Sequence, residues 1–242
     1  MTLTAAIITR NAILSPKLLQ SLSFADEILV IVDSPVKLPV KASRKIKIYF
    51  RALNGDFAAQ RNFALQKAKN DWVLFVDDDE YVGTELAREI KLALAANKYS
   101  AYLISRLDVV FHQPLLHGET GHLKLLRLAR RQAGQFKRSV HEIWKITGRI
   151  GELSSPLYHH KDYFISGFLA RMSQYGQIDA QMLAGEGKPF SWFRLICYPL
   201  LKFKMNYFFK AGFLDGLPGL FLSYLLGVQS LSVRVIQWEK QK

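Results

Sequence analysis

The sequence predicts an α/β fold, a largely parallel mixed sheet with helices on both faces, followed by a helical C-terminal extension. Through the first hundred residues, short apolar runs alternate with segments of helical spacing, as in strand–helix–strand units. Half of the 242 residues are hydrophobic, so a substantial core is available. From Lys188 onward the composition shifts, and the last 55 residues hold 12 of the chain's 30 aromatic residues. We therefore expect two domains, residues 1–160 and residues 161–242.

Four apolar runs predict the strands of the sheet. The first, second and fourth runs end in polar breaks, which places these breaks on one edge of a parallel sheet. No basic residues precede the N-terminal run, so we interpret it as a strand and not as a signal peptide. The predicted strands cover residues 3–8, 27–32, 45–50 and 72–76.

The spacing of apolar residues predicts helices between these strands and after them. Ser15 can cap the first helix, and Pro16 suits a first helical position. Residues 100–158 carry short apolar runs between His, Gly and Arg, which indicates short, partly antiparallel strands. A further helix is predicted from Asp162, as N-cap, to Leu183. The helices of the first half are predicted over residues 16–22, 56–69 and 84–96.

Two apolar segments near the C-terminus carry a membrane signal. Residues 190–209 mix aromatic residues with Arg194, Lys202 and Lys204, a composition typical of helices that lie on an anionic membrane surface. Residues 217–233 are uncharged but contain Pro, Gly and Ser, and 17 residues fall short of the roughly 20 that a spanning helix needs. We expect surface association. The alternatives are packing against the rest of the chain or another copy, and a true span.

The charge of the chain predicts a polyanionic partner. The formal net charge is +13 and the pI is near 9.8, so nucleic acid, anionic lipid and nucleoside diphosphates all qualify. Residues 188–242 hold eight Lys and Arg against two acids, and their aromatic setting favours lipid over nucleic acid. The single cysteine, Cys197, excludes an internal disulfide and fits a reducing compartment.

Four consecutive acids, Asp77 to Glu80, directly follow the apolar run at residues 72–76. Ligands of open α/β sheets bind at the carboxyl ends of strands, so this run delivers a carboxylate cluster to a binding edge. Clustered carboxylates suit Mg²⁺ or Mn²⁺, which commonly arrive with a phosphate-bearing substrate. The alternative is a solvated acidic loop that favours the N-terminus of the next helix.

Polar residues at the ends of the first two strands lie on the same predicted edge. Thr9, Asn11 and Asp33 can bind a base or a ribose, although turns and caps also use such residues. Arg61 lies one to two turns into the helix that precedes the acids. Its guanidinium can reach a phosphate or the acids themselves, and the alternative is a surface arginine paired with Asp56 or Asp77.

Four segments carry a resemblance to a known family. They are Thr-x-Asn after the first strand, Ala-Asp-Glu-Ile-Leu-Val-Ile-Val-Asp-Ser, Ala-Gln-Arg-Asn-Phe-Ala-Leu and Asp-Trp-Val-Leu-Phe-Val-Asp-Asp-Asp-Glu. From Leu3 to about Tyr158 the chain resembles the family-2 inverting glycosyltransferases of GT-A fold, in particular the lipopolysaccharide inner-core glycosyltransferases and related β-glucosyltransferases. The resemblance implies Mg²⁺ or Mn²⁺ at Asp77 and Asp79. It also implies a nucleotide-sugar donor bound by Thr9, Asn11, Asp33, Gln60, Arg61 and Asp77.

The resemblance further implies a catalytic base in the segment Val140-His141-Glu142. Inverting transfer needs one base that takes the proton of the attacking acceptor hydroxyl. We assign this role to Glu142, with His141 as the second candidate because an ordinary imidazole suits proton transfer near neutral pH. Without the family, a His-Glu pair in a strand or turn is the simpler interpretation. Either His159 or His160 can add a metal ligand or contact the diphosphate, and the alternative is a structural or solvent-exposed histidine.

Two positions depart from the pattern of the subgroup. Asp33-Ser34 is followed by Pro35, so the second acid of that loop is missing, and Asn11 is followed by Ala12 instead of a glutamate. These changes affect donor choice or activity but spare the metal acids and Glu142. A basic stretch before Glu142 predicts either a site for a phosphorylated or lipid-linked acceptor or a solvated basic face. It consists of Arg127, Arg130, Arg131, Lys137 and Arg138.

The sequence thus predicts a metal-dependent inverting glycosyltransferase, with hexosyl transfer expected, on the cytoplasmic face of the cell membrane. Its acceptor would be a hydroxyl of an envelope glycan or glycolipid, as in lipopolysaccharide-core synthesis. The alternative is a non-catalytic relative that binds nucleotide sugar and acts as a membrane-bound partner. Nucleic-acid binding is the weakest of the three hypotheses, since nearly half of the excess charge lies in the aromatic tail.

Overall fold

The computed structural model describes residues 1–10, 14–33, 43–121, 123–139, 142–161 and 163–241. The chain divides into two compact units. The sheet unit comprises residues 1–106 and 124–159, and the helical unit comprises residues 107–123 and 160–242. The predicted domain boundary at residue 160 stays a prediction. The grouping of residues 107–123 with the helical unit is not part of that prediction.

Four parallel strands form one half of the main sheet, in the order β3-β2-β1-β4. β1 pairs with both β2 and β4, with Thr9 opposite Val32 and Ile8 opposite Asp77. The carboxyl ends of these strands therefore meet on one edge, as the sequence predicts. The four strands are β1 (Leu3–Thr9), β2 (Glu27–Val32), β3 (Ile46–Phe50) and β4 (Trp72–Asp77).

Further strands complete the sheet in the order β4-β8-β6-β11-β5. β8 is antiparallel to both β4 and β6, and β5 pairs with β11 so that His159 lies opposite Glu80. β9 and β10 form a separate hairpin. The strands are β5 (Glu80–Val82), β6 (Ala101–Val110), β7 (Gln113–Pro114), β8 (Lys124–Arg130), β9 (Gly134–Lys137), β10 (Ile143–Ile146) and β11 (Ile150–His160).

Three helices cover the parallel half: α1 (Pro16–Ser21), α2 (Phe57–Lys67) and α3 (Thr84–Ala96). Local capping defines the start of the first two. The Ser15 hydroxyl accepts a hydrogen bond from the Leu18 backbone N–H at 3.0 Å, and Pro16 occupies the first turn. Asp56 accepts from the Ala59 backbone N–H at 2.8 Å. The predicted helix starts are confirmed at both places.

The hydrophobic core lies on both faces of the sheet. Successive side chains of a strand point to opposite faces, so Leu74 of β4 packs with the side that α1 and α3 cover, whereas Phe75 packs with the α2 side. The α2 side also buries Phe136 and Trp144 of the β9–β10 hairpin. Their rings stack with centroids 4.7 Å apart, and each ring meets Phe75 edge-on. This aromatic cluster anchors the hairpin whose loop contains Glu142.

The helical unit contains three long helices, α4 (Phe164–Gly185), α5 (Trp192–Lys204) and α6 (Gly216–Glu239). The predicted N-cap, Asp162, lies outside the described residues. α5 and α6 run close together at Gly227, where an added Cβ would lie 3.1 Å from the Pro199 carbonyl oxygen. A π-helical turn (Met205–Phe209) and a 3-10 turn (Gly212–Asp215) connect them. The predicted C-terminal helical extension is confirmed.

Within the described part of the chain, one helical segment is long and apolar enough to cross a membrane by length and composition alone. It covers Gly212–Glu239, with a mean hydropathy of 1.5 over its most apolar window. Of that window, 39% is buried inside the protein, and core helices of proteins without membrane spans pass the same test. The segment is therefore weak evidence for a span.

Candidate active site

The four acids at the end of β4 have four different environments. β4 ends at Asp77, Asp78 and Asp79 form a turn, and Glu80 opens β5. The turn is closed by Glu80, whose Oε2 accepts a hydrogen bond from the Asp77 backbone N–H at 2.9 Å. Glu80 is buried, whereas Asp78 and Asp79 are exposed. The turn thus places two carboxylates toward solvent and two against the protein.

Two arginines bind the Asp77 carboxylate. Its Oδ1 accepts from Arg61 Nη2 at 3.0 Å and from Arg127 Nη1 at 3.2 Å, and its Oδ2 accepts from Arg127 Nη2 at 2.5 Å. Burial alone would raise the pKa of Asp77, but the charges and hydrogen bonds of Arg127 and Arg61 hold it well below its ordinary value. Asp77 is therefore ionised at every physiological pH.

Arg127 also binds Glu80, which gives it two carboxylate partners. Its Nη2 lies 3.0 Å from Glu80 Oε1, and both side chains are buried. Burial raises the pKa of Glu80, and the Arg127 charge offsets part of that effect. Burial lowers the pKa of Arg127, but the neighbouring carboxylates, chiefly Asp77 and Glu80, together raise it by more than burial lowers it. The net shift of the Arg127 pKa is therefore upward. Arg127 is the permanent positive charge of the cluster.

Arg61 connects this cluster to Glu142. Its Nε donates to Glu142 Oε1 at 2.8 Å while its Nη2 holds Asp77. The guanidinium also lies over the rings of Phe75 and Phe136, 5.3 and 5.7 Å from their centroids, and these contacts help to hold it in place. A buried arginine on α2 therefore sets the position of Glu142 relative to Asp77.

The loop that contains Glu142 is held by α2. Asn62 donates from its side chain to the Phe136 carbonyl at 3.0 Å and accepts from the Phe136 N–H at 2.8 Å, so that it clamps β9. The Phe57 N–H donates to the Ser139 carbonyl at 2.9 Å. Glu142 is partly buried, and its Oε2 makes no hydrogen bond to another described residue. His141 and Val140 lie outside the described residues.

Asp79 and His159 form a second pair beside the cluster. His159 Nε2 lies 2.9 Å from Asp79 Oδ2, and the Asp79 side chain is 55% exposed. An exposed carboxylate next to an imidazole is a donor set that Mn²⁺ or Mg²⁺ accepts when diphosphate and water supply the other ligands. Asp77 fits less well, because arginine N–H groups occupy both of its oxygens. The described residues contain no group of three or more His, Cys, Asp or Glu arranged around one metal position.

The charge balance of the site also fits a divalent cation. Within the ion-pair network, Arg61 and Arg127 face three carboxylates, those of Asp77, Glu80 and Glu142. Asp78 and Asp79 add two more carboxylates at the exposed turn. The excess of negative charge would repel a diphosphate unless a cation accompanied it.

Comparison with known proteins identifies the family. The family described as Glycosyl transferase family 2 matches residues 17–145, just over half of the chain. The chain belongs to glycosyltransferase family 2. Both the predicted resemblance and the predicted fold class are confirmed, since the matched residues include the whole acidic cluster and Glu142. This glycosyltransferase is therefore an enzyme by family.

Several proteins resemble this glycosyltransferase over most of their length. A glycosyltransferase of Rickettsia conorii is 24% identical over 238 residues, covering 90% of this chain and 83% of its own. The lipopolysaccharide core biosynthesis glycosyltransferase LpsC of Rhizobium meliloti is 26% identical over 229 residues, covering 86% and 84%. The structure of residues 1–349 of Staphylococcus aureus TarS in complex with UDP-GlcNAc is 17% identical, with a TM-score of 0.46, covering 100% of this chain and 92% of that TarS fragment.

Other residues that are predicted to contact the nucleotide-sugar donor form hydrogen bonds within the protein. The buried Thr9 hydroxyl donates to Asp78 Oδ2 at 2.6 Å. Asp33 Oδ1 accepts from the Leu53 N–H at 2.5 Å and so ties the end of β2 to the segment after β3. Asn11 lies outside the described residues. Direct donor contact by Thr9 and Asp33 stays a prediction.

Gln60, another predicted contact of the sugar donor, is bound inside the protein. The side chain is fully buried, its amide donates to the Arg51 carbonyl at 2.8 Å, and its oxygen accepts from Arg51 Nη1 at 2.7 Å. Both of its polar groups are therefore used inside the protein. Gln60 thus supports the segment that precedes α2, and its contact with the sugar donor stays a prediction.

The role of Arg127 was missed from the sequence. Its place in a basic stretch suggested an acceptor site or a solvated face, but it is buried between Asp77 and Glu80. Arg130 instead binds the Asn97 side chain, and Arg131 donates to the Asn70 carbonyl at 3.2 Å. The available signal was the apolar setting of Arg127 in Lys124-Leu-Leu-Arg-Leu-Ala-Arg, which is unusual for a surface charge.

Proposed function

We propose that this glycosyltransferase moves a hexose, with inversion, from a nucleoside-diphosphate sugar to a hydroxyl of a lipopolysaccharide-core-like glycolipid. One observation carries the proposal: Arg61 holds Glu142 and Asp77 together at the carboxyl edge of the sheet. The candidate base Glu142 and the candidate sugar-donor site at Asp77 are therefore joined by a single side chain, the guanidinium of Arg61. The name of LpsC supports the choice of acceptor class.

The proposed chemistry assigns one role to each charged group. Asp79 and His159 would hold Mg²⁺ or Mn²⁺, which would supply positive charge to the departing diphosphate. Glu142 takes the proton from the acceptor hydroxyl as that oxygen bonds to the anomeric carbon, while the bond from that carbon to the diphosphate breaks. Oε2 of Glu142 is the proton acceptor, because Arg61 already occupies Oε1. Arg61 and Arg127 keep the carboxylates in place without taking part in bond making.

We further propose that the enzyme acts on the cytoplasmic face of the cell membrane. α5 presents Trp192, Phe193, Ile196 and Leu200 on one side, with exposed fractions of 65, 67, 62 and 62%. Arg194, Lys204 and Lys210 lie near them in sequence. An apolar face flanked by cations suits the interface of an anionic leaflet, and this supports surface association over the packing alternative.

Two substitutions test the transferase proposal with purified full-length protein. Glu142→Gln should keep donor binding, seen as thermal stabilisation by a UDP-, GDP- or dTDP-sugar with Mn²⁺, but reduce transfer by about 10²-fold to 10⁴-fold. Asp79→Asn should weaken the Mn²⁺-dependent stabilisation itself. The matched control is Asp71→Asn, an exposed carboxylate at the opposite end of β4.

The results separate the enzyme from the non-catalytic alternative. Transfer that is unchanged in Glu142→Gln removes Glu142 from the role of base. Stabilisation by a donor without turnover, for every donor and acceptor pair tried in the wild type, favours a binding protein.

A further inference from the structure

The helical unit contains a groove that the proposed transferase chemistry does not use. It has a volume of about 640 Å³ and lies between α4, α5 and α6. Each helix contributes apolar side chains to its walls. These are Met182 and Leu183 from α4, Leu201 from α5, and Leu226 and Val233 from α6, with Met205 from the π-helical turn that follows α5.

Arg234 is a buried cation in the wall of this groove. Only 9% of the residue is exposed, and no described carboxylate lies within ion-pair distance of it. Its Nη1 donates to Gln237 Oε1 at 2.9 Å, and its guanidinium lies 5.2 Å from the centroid of the Tyr198 ring. Its Nε is buried without a hydrogen-bond partner among the described residues. A buried charge in this condition is costly unless an anion compensates it.

The surroundings of Arg234 compensate its positive charge only in part. Burial lowers its pKa, Arg194 lowers it further, and Tyr198 and Asp179 act in the opposite direction. Asp179 lines the groove but makes no ion pair with Arg234. Away from Arg234, Lys202 binds Glu119 at 2.7 Å, so those two charges cancel. The groove therefore contains one buried cation without an ion pair, with the Asp179 carboxylate elsewhere in its wall and a lining that is otherwise apolar or neutral.

The length of the groove matches an extended hydrocarbon chain. Leu226, Val233 and Arg234 lie on one side of α6, and the eight steps from residue 226 to residue 234 span about 12 Å at 1.5 Å per residue. A small anion would use only the Arg234 region and leave the apolar walls facing water. A neutral hydrocarbon would leave the arginine unpaired. An amphiphile satisfies both parts of the groove.

We propose that this groove binds a single phosphate-bearing lipid, with its phosphate at Arg234 and its acyl chain along α6 toward Leu226. The site gives the helical unit a ligand of its own. It requires neither the donor chemistry nor the assignment of Glu142, so the two proposals can fail separately.

The binding test uses full-length protein and three probes below their micelle concentrations. Dioctanoyl phosphatidate carries both chain and phosphate, dioctanoylglycerol carries only the chains, and inorganic phosphate carries only the anion. Titration calorimetry should show that dioctanoyl phosphatidate binds at least ten-fold more tightly than either of the others. If inorganic phosphate or dioctanoylglycerol binds as tightly, the groove is not a site for a phosphate-bearing lipid.

Two substitutions locate the binding. Arg234→Gln should weaken dioctanoyl phosphatidate at least ten-fold, whereas Arg171→Gln, on the exposed side of α4, should leave it unchanged. Leu201→Trp fills the groove but keeps Arg234, and it should weaken the lipid while leaving the affinity for inorganic phosphate unchanged. Unchanged lipid affinity in either groove variant overturns the proposal. Stabilisation by the nucleotide sugar, measured on the same samples, reports on the sheet unit separately.

Discussion

At the scale of single residues, the site depends on charges that compensate one another away from water. Asp77 and Glu80 both depend on Arg127, and Asp77 also depends on Arg61. An ion pair of this kind contributes little compared with apolar packing, but removing one partner leaves the other charge buried and unpaired. The cluster is therefore a means of fixing geometry, and its single substitutions should cost stability.

Arg127→Met should lower the free energy of unfolding by about 3–5 kcal/mol, because it removes the arginine that pairs with the carboxylates of Asp77 and Glu80. The control is Lys124→Met on the same strand. Lys124 forms an ion pair with Glu152 in which both side chains are nearly half exposed, so its loss should cost less than about 1 kcal/mol. Urea unfolding of both variants measures the difference. Equal costs would show that the buried cluster is not what stabilises this part of β8.

At the scale of elements, α2 organises the site through three consecutive side chains. Gln60 holds the Arg51 segment, Arg61 joins Asp77 to Glu142, and Asn62 clamps β9. The sequence predicts the helix itself, because helical spacing depends on neighbours three or four residues away. The destinations of the three side chains depend on residues up to 81 positions distant, so no local pattern contains them.

The same distinction explains which strands the sequence predicts. β1, β2 and β4 are continuous apolar runs, and their parallel alignment follows from the helices between them. β5 has three residues and begins with a charged one, Glu80, so it looks like part of an acidic loop. Its pairing with β11 places His159 beside Asp79. The sequence predicts that His159 can be a metal ligand, but it does not contain the pairing register that places His159 beside Asp79. Metal binding itself stays a prediction.

Asn62→Ala should loosen the β9–β10 hairpin without unfolding α2. The substitution leaves the Phe136 N–H and carbonyl without the partners that Asn62 supplies. An unpaired buried polar group costs about 1–3 kcal/mol, so hydrogen exchange of peptides from residues 134–146 should become about ten-fold faster. Gln66→Ala, at an exposed position of the same helix, is the control. Exchange that is unchanged in Asn62→Ala would mean that the aromatic cluster alone holds the hairpin.

At the scale of the whole molecule, the +13 charge combines two contributions with different uses. Residues 188–242 carry eight of the 33 Lys and Arg residues beside an exposed aromatic face, whereas in the sheet unit Arg61 and Arg127 are buried in ion pairs. The exposed cations of residues 188–242 are available to an external surface, whereas the buried Arg61, Arg127 and Arg234 are not. The net charge of the chain therefore indicates little about its binding partner until it is known which Lys and Arg side chains are buried.

This division predicts that membrane binding and donor chemistry can be separated in one protein. Trp192→Ser combined with Phe193→Ser removes two of the most exposed aromatic residues of α5. The variant should lose most of its co-sedimentation with anionic vesicles, and its transfer to an acceptor embedded in those vesicles should fall at least ten-fold. Hydrolysis of the nucleotide sugar in the absence of vesicles should stay within about two-fold of the wild type, since water replaces the acceptor.

The control for this prediction is Leu92→Ser on α3, which removes a side chain that is 64% exposed in the sheet unit. It should sediment with vesicles as the wild type does. Raising the salt concentration should weaken binding of both the wild type and the control, because screening shortens the reach of the flanking cations to a few ångströms near 1 M salt. If the double variant still sediments fully, the aromatic face does not contact lipid, and packing against another protein becomes the better explanation of its exposure.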